Sequence, residues 1–295
     1  MSRPATVLFH VVLLCNYLLP AQQHDREFWR SITNNKYAVP RNESADVLAL
    51  ELNSLLASPD PELRDDLAYS ILGTWIHHDQ LSTPTLIVLT EQWKSNMKVG
   101  IGEAGTDSVL LRSFSALCLS EIAKREAKSP FLGAKRYHEL VADAIEYLQA
   151  ERDLRGYDAT LHWIHATAHT ADLLAALADS SLLTKEESSA MLRAIAARLS
   201  TAPQVYTQGE QDRLAAAVVA LIRRKDFETN SFDAWLAGVQ NEDRNVWSHT
   251  TVESLAHYQN HNYLLQALTV RLSLEPPSAT MEQYRKAVLK LLADR

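Results

Sequence analysis

Three histidines and one aspartate, His162, His165, His169 and Asp172, stand within "RGYDATLHWIHATAHTADLL" at spacings of 3, 4 and 3. On a continuous helix that spacing puts all four on one stripe. Such a stripe supports three kinds of chemistry. It can hold a divalent metal, zinc or another, with His165 and His169 one turn apart as ligands and Asp172 as third ligand or as the group orienting His169. It can bind a ligand or move protons without metal. Or each imidazole can bond a neighbouring helix in a purely structural polar seam. The HExxH pattern of zinc hydrolases is absent, because Ala166, Thr167 and Ala168 separate His165 from His169 and supply no base. The sequence leaves the three readings open.

The element that must carry this stripe is a helix predicted over 158–179. Asp158 is its candidate cap, Gly156 suits a tight turn before it, and Leu161, Ile164, Ala168, Ala171, Ala175 and Ala178 form its apolar stripe. Most of the chain from Ser44 onward reads the same way. "SADVLALELNSLLAS" starts at Ser44. Asp60 with Pro61, and Ser82 or Thr83 with Pro84, mark two further starts. Later helices are predicted over 107–126, 134–151, 184–200, 209–225, 230–240, 250–273 and 279–293. No alternating strand pattern stands out.

Five of these helices align on an alanine: Ala68, Ala116, Ala166, Ala217 and Ala267, at steps of 48, 50, 51 and 50. Four residues earlier stand Arg64, Arg112, His162, Arg213 and Tyr263. A period near 50 with two helices per unit predicts an all-α chain, an α-solenoid of about five helix pairs of the HEAT or armadillo kind. Its inner helices would place Arg64, Arg112, His165, His169 and Arg213 on or near a concave side.

Composition agrees. The chain has 295 residues, 46% of them hydrophobic and 22% charged, with only 8 Gly and 10 Pro. That suits a helical globular protein. The net charge of −7 argues against nucleic acid as a partner. The N-terminus, "MSRPATVLFHVVLLCNYLLPAQQHD", runs from Arg3 through an apolar stretch at about Val7 to Leu19 into Pro20-Ala21-Gln22. That is the layout of a secretory signal peptide over residues 1–21, leaving 22–295 as one helical repeat domain. It is too short for a membrane anchor. The expected location is periplasmic or secreted, or cytoplasmic if this run is instead a first amphipathic helix. Leu14 before Cys15 argues against lipoprotein processing. After cleavage Cys118 is the single thiol, at an apolar helical position, and reads as buried and inert.

Other constellations are weaker. "GIGEAGTDSVLLRS" contains G-x-G-x-x-G without a preceding strand, so it reads as a loop with Thr106 or Asp107 capping the next helix. Arg112, Arg155 and Arg213 are either anion-binding points beside the histidines or structural partners of Asp107, Asp172 and Glu210. Asn262 points to the same groove. His257 and His261 read as exposed on a late helix, and His77 and His78 as helix-end residues. No nucleophile elbow, Walker A or CxxC pattern is present.

"ERDLRGYDATLHWIHATAHTADLLAAL", "GIGEAGTDSVLLRSFSALCLSEIA", "GEQDRLAAAVVALI" and "FWRSITNNKYAVP" resemble the bacterial family known as domain of unknown function 2785. The likeness runs from about Phe28 to the last helix. Its motif W-x-H-A-x-A-H-x-A-D is carried by Trp163, His165, His169 and Asp172. The resemblance implies that glycine is common where this chain has His162. It implies a helical fold and assigns no catalytic residues.

The sequence thus predicts an exported solenoid that binds a protein partner or an anionic small ligand in a concave polar groove. The alternative is a metal-dependent or acid/base hydrolase centred on His165, His169 and Asp172.

Overall fold

The computed structural model describes residues 24–295. The expected signal segment and Cys15 lie outside them. The described residues contain twelve α-helices. They are α1 (Arg26–Asn34), α2 (Ala45–Leu52), α3 (Ser70–His77), α4 (Thr83–Asn96), α5 (Ser108–Lys128), α6 (Gly133–Ala150), α7 (Ala166–Ala178), α8 (Lys185–Ser200), α9 (Glu210–Ile222), α10 (Thr229–Asp243), α11 (Val252–Leu274) and α12 (Ala279–Ala293). A 3₁₀ turn, Asn53–Ala57, follows α2, and a π-type helix, Glu62–Tyr69, runs directly into α3. The all-α expectation holds.

Local chemistry accounts for several starts. Asp60 Oδ1 accepts the amides of Glu62 and Leu63 beside Pro61, and Ser82 accepts from Thr85 one residue after Pro84. Thr184 and Glu187 close a reciprocal capping box on α8. Asp107 departs from expectation: it stands at the cap position of α5 but makes no side-chain cap bond. Glu103 instead gathers the Thr106 and Ser108 hydroxyls. Gly100, Gly102 and Gly105 all adopt positive φ, a conformation the turns of that loop require and that glycine takes without cost.

Alternate helices pack in sequence. One row is α3, α5, α7, α9 and α11; the other contains α6, α8, α10 and α12, with α6–α7, α8–α9 and α10–α11 joining the rows. A continuous cluster of buried side chains runs from Trp29 to Leu291. Ala68, Ala116, Ala166 and Ala217 lie buried within it, so small residues recur where the first-row helices approach each other. Cys118 is buried and free, and burial pushes its thiol well above the ordinary range, as expected of an inert cysteine.

The predicted helix over 158–179 is the one that changes. It begins only at Ala166, and a short antiparallel hairpin, β1 (Tyr157–Asp158) with β2 (His162–Trp163), precedes it. Asp158 does not cap a helix; its carboxylate accepts the amides of Thr160 and Leu161 and closes the hairpin turn. Gly156 has an ordinary φ. It is needed because a Cβ there would lie 2.7 Å from Glu210 Oε1 and 2.6 Å from Gln208 Oε1.

Candidate functional site

The four-residue stripe is therefore not one face of one helix. His162 sits on β2, His165 occupies the cap position of α7, and only His169 and Asp172 lie within the helix. Both His162 (φ 57°) and His165 (φ 51°) take the left-handed conformation that L-residues adopt at a cost. At His162 a glycine, which the family resemblance places there, meets no such cost. His162→Gly is expected to raise stability by about 1 kcal/mol, read from urea unfolding. A loss of stability would mean that the stacking of His162 on Tyr157 outweighs the backbone strain.

The hairpin presents two exposed aromatics, Tyr157 and Trp163, 48% and 42% accessible, with ring centroids 5.0 Å apart. Trp163 stacks on the His165 ring at 4.8 Å, and His165 meets His169 edge-on at 5.7 Å. Beneath them His169 Nδ1 lies 2.8 Å from Ser113 Oγ, which donates to the Ile164 carbonyl. Ser113 is fully buried. The Ser–His pair thus ties α5 to the start of α7 and has no open side from which a substrate reaches the hydroxyl.

Arg64 holds the hairpin from below. Its guanidinium is fully buried and donates to the carbonyls of Ser58 (2.9 Å), Leu161 (2.5 Å) and Trp163 (3.3 Å), stacked over Phe114 at 4.7 Å. Its Nε lies 2.6 Å from Asp65 Oδ1, a close ion pair without hydrogen-bond alignment. Burial pushes the Asp65 carboxyl up to about 6 against the pull of Arg64.

The candidate metal ligands do not converge. Asp172 Oδ2 is bound by Arg213 Nη1 at 2.5 Å, and His169 bonds Ser113 through Nδ1, leaving only its Nε2. His165 Nε2 has no hydrogen-bond partner and stands 3.6 Å from Glu210 Oε1. Among the described residues no group of three or more His, Cys, Asp or Glu side chains is placed to hold a metal ion.

His165 and His169 are neutral imidazoles. Burial first, and then the Arg213 charge, push His165 down to about 4; burial and His165 hold His169 well below its usual range. The unfolded chain takes up these protons below about pH 6.5, the ordinary histidine value, while the folded chain does not. Stability is therefore present above that value and is lost as pH falls towards 4. For His165 alone the loss between pH 7 and pH 5 is about 2 kcal/mol. Asp65 works in the opposite sense, because its folded form keeps a proton up to about pH 6 that the unfolded chain has released. Urea unfolding at the two pH values should show His165→Gln losing about 2 kcal/mol less than the native chain on acidification. Equal losses would contradict a neutral, buried His165.

Several expected groove residues lie elsewhere. Arg112 is fully buried and faces no groove. It makes a two-bond pair with Glu151 (2.7 and 3.0 Å) and donates to the carbonyls of Val99 and Gly100 (3.0 Å each) in the glycine loop. Arg155 pairs with Asp153 and donates to the Thr106 carbonyl. Asp107 is exposed on that loop and pairs with none of the three arginines. Glu210 is buried at the start of α9, raised by burial, and accepts the Gln208 amide rather than an arginine. Only Arg213 takes one of the expected partners, Asp172. Asn262 is half-buried on α11, and its neighbours do the work there: Asn260 bonds the backbone of Tyr206 and Gln204, and His261 is fully buried against Asp243 rather than exposed.

A different set of side chains forms a concavity on the first row. Asp172 and Ala175 of α7 with Asp179 at its end, Ala216 and Ala220 of α9 with Arg223 at its end, and Arg271 and Leu274 of α11 with Glu275 at its end line a cavity of about 450 Å³ with Lys124 of α5. All its charges but Asp179 are paired: Asp172–Arg213, Asp212–Arg271, Arg223–Glu275 and Lys124–Glu121. The sequence reading missed Lys124, Arg223, Arg271 and Glu275. The signal was present as helical spacing: 172, 175 and 179 share a face, as do 216, 220 and 223. The histidine stripe pointed towards the N-terminus from Asp172, whereas the concavity runs towards the C-terminus.

The site therefore belongs to an all-helical protein in which, among the described residues, no helix is long and apolar enough to cross a membrane. A family model described as "Protein of unknown function (DUF2785)" matches residues 97–270, and the chain belongs to that family. The matched stretch takes in the hairpin, the first-row helices α5, α7 and α9, and most of α11; the similar segment "FWRSITNNKYAVP" falls outside it. No match to a curated protein or to a solved structure was found.

Proposed function

We propose that this is a non-enzymatic binding protein, built as an α-solenoid of the HEAT or armadillo kind, that holds a segment of a partner protein in the concavity of its first-row helices. The successive packing of α5, α7, α9 and α11, with a second row behind, supports the solenoid reading. The observation that carries the binding reading is the concavity itself: a half-exposed alanine floor, Ala175, Ala216 and Ala220, between rims of both charge signs. Small floor residues let a partner backbone or helix approach closely, and a mixed rim suits a segment of mixed charge.

A small anion is a poorer occupant, because Arg213, Arg223, Arg271 and Lys124 are each already paired with a carboxylate. The hydrolase reading has less support still. Ser113 and His169 are closed in, and Asp172 is held by Arg213. Residues 1–21 read as a signal peptide, so the proposed setting is periplasmic or extracellular.

The test is a groove-filling substitution. Peptides selected on the native protein from a random display library should bind Ala216→Trp at least about tenfold more weakly, an effect of the size expected for blocking a central pocket. The midpoint of thermal unfolding should stay close to the native value. Unchanged affinity for every selected peptide would remove the concavity as the binding face.

A further inference from the structure

A second cavity lies at the α3 end of the same row. It has a volume of about 300 Å³ and is lined by Tyr37, Tyr69, Gly73, Thr74, His77 and Glu121, among others. Glu121 is the one carboxylate on its wall, and neither lysine nor arginine lines it. The Glu121 side chain is only 11% accessible. Tyr69 donates to Glu121 Oε1 at 3.3 Å and Lys124 Nζ reaches the same oxygen at 2.7 Å, so both bonds end on one oxygen and Oε2 is left to accept from a ligand. Lys124 itself is half-exposed and lines the neighbouring concavity, not this cavity. Tyr37 also lines the cavity, and its carbonyl accepts Trp75 Nε1 at 2.7 Å. Gly73 keeps the space open: a Cβ there would make only ordinary contacts, 3.6 Å to Glu121 and 3.8 Å to the Tyr69 ring, and a longer side chain would project into the cavity.

Glu121 is nearly buried, its Lys124 partner reaches only Oε1 from outside the cavity, and Tyr37, Tyr69 and the imidazoles of His77 and His78 line the rest, so the free carboxylate oxygen is open to an organic cation that competes with Lys124. We propose that this cavity binds an alkylammonium or guanidinium group, with Glu121 as the anionic partner and Tyr37 and Tyr69 as the flanking walls. The proposal rests on the partner-segment reading only for the source of that cation, a lysine or arginine side chain of the segment. A free amine shares the same chemistry.

The experiment titrates the full chain calorimetrically with n-butylammonium chloride, and then with capped lysine and capped arginine amides. Saturable butylammonium binding is expected, weakened about tenfold or more by Glu121→Gln and abolished by Gly73→Leu. Leucine is a better helix former than glycine, so the second variant does not depend on a fragile fold. Lys124→Gln should strengthen binding, since it removes the competing cation; a purely structural Glu121 would give no gain. A capped amino acid that binds more tightly than butylammonium assigns the cation to a peptide, and the reverse assigns it to a free amine. No saturable binding of any cation, or binding indifferent to both Gly73→Leu and Glu121→Gln, overturns the proposal. Ala216→Trp should bind butylammonium like the native chain, so failure of the larger concavity and failure of this cavity are told apart.

Discussion

Arg112→Met is expected to lower the free energy of unfolding by about 3–5 kcal/mol, the cost of leaving a buried charge without its partner. Arg112 and Glu151 are both nearly inaccessible and share two hydrogen bonds. The Glu151 carboxylate also accepts the amides of Arg152 and Asp153, and thereby shapes the turn that leads from α6 to the hairpin. Removing the guanidinium leaves that carboxylate desolvated and releases the Val99 and Gly100 carbonyls of the glycine loop. Replacing both partners, Arg112→Met with Glu151→Leu, should recover part of the loss, because no charge is left stranded although the Arg152 and Asp153 amides lose their acceptor. Urea unfolding of the single and double variants measures this. A single variant within about 1 kcal/mol of the native chain would mean that Arg112 is not the buried structural ion described here.

Arg64→Met has the second largest expected effect, about 2–4 kcal/mol, from lost charge-assisted bonds to backbone carbonyls. It also has a local signature. Arg64 joins the segment around Ser58 to the hairpin carbonyls of Leu161 and Trp163. The hairpin itself is closed by the Ile164 and His165 amides, which bond Gly156 and Arg155. Without Arg64, hydrogen exchange at Ile164 and His165 should speed up far more than exchange along α9, which Arg64 does not touch. Uniform acceleration would indicate global destabilisation only.

These two arginines also mark the limit of what the sequence discloses. Helix positions were legible because apolar spacing and caps are local. The helix predicted over 134–151 is found at 133–150, and that over 184–200 at 185–200. Four of the five alanine anchors, all but the half-buried Ala267, are buried for the same reason. Arg64 and Arg112 recur at the same offset from those anchors and so read as one functional series. What decides their role is a set of carbonyls and carboxylates that the fold brings in, up to 99 residues away, which no local pattern encodes.

The histidine stretch failed differently. His162, His165 and His169 satisfy helical spacing, but two of them adopt left-handed backbone angles that a spacing rule does not see. The hairpin was signalled only faintly, by Gly156 and by Asp158 acting as a turn residue. For Asp172 the sequence leaves open a metal ligand, a partner of His169 and a partner of arginine; Arg213 holds it, and it is the one residue of the original stripe that lines the concavity.

The central claim is that a partner segment lies along α7, α9 and α11. Hydrogen exchange of the protein with and without a display-selected peptide tests it most directly. Added protection should concentrate in residues 171–179, 215–223 and 268–275, with little change at the Tyr157–Trp163 hairpin or along α8 and α10. Protection confined to the hairpin or to the second row, with the first-row stretches unchanged, would contradict it.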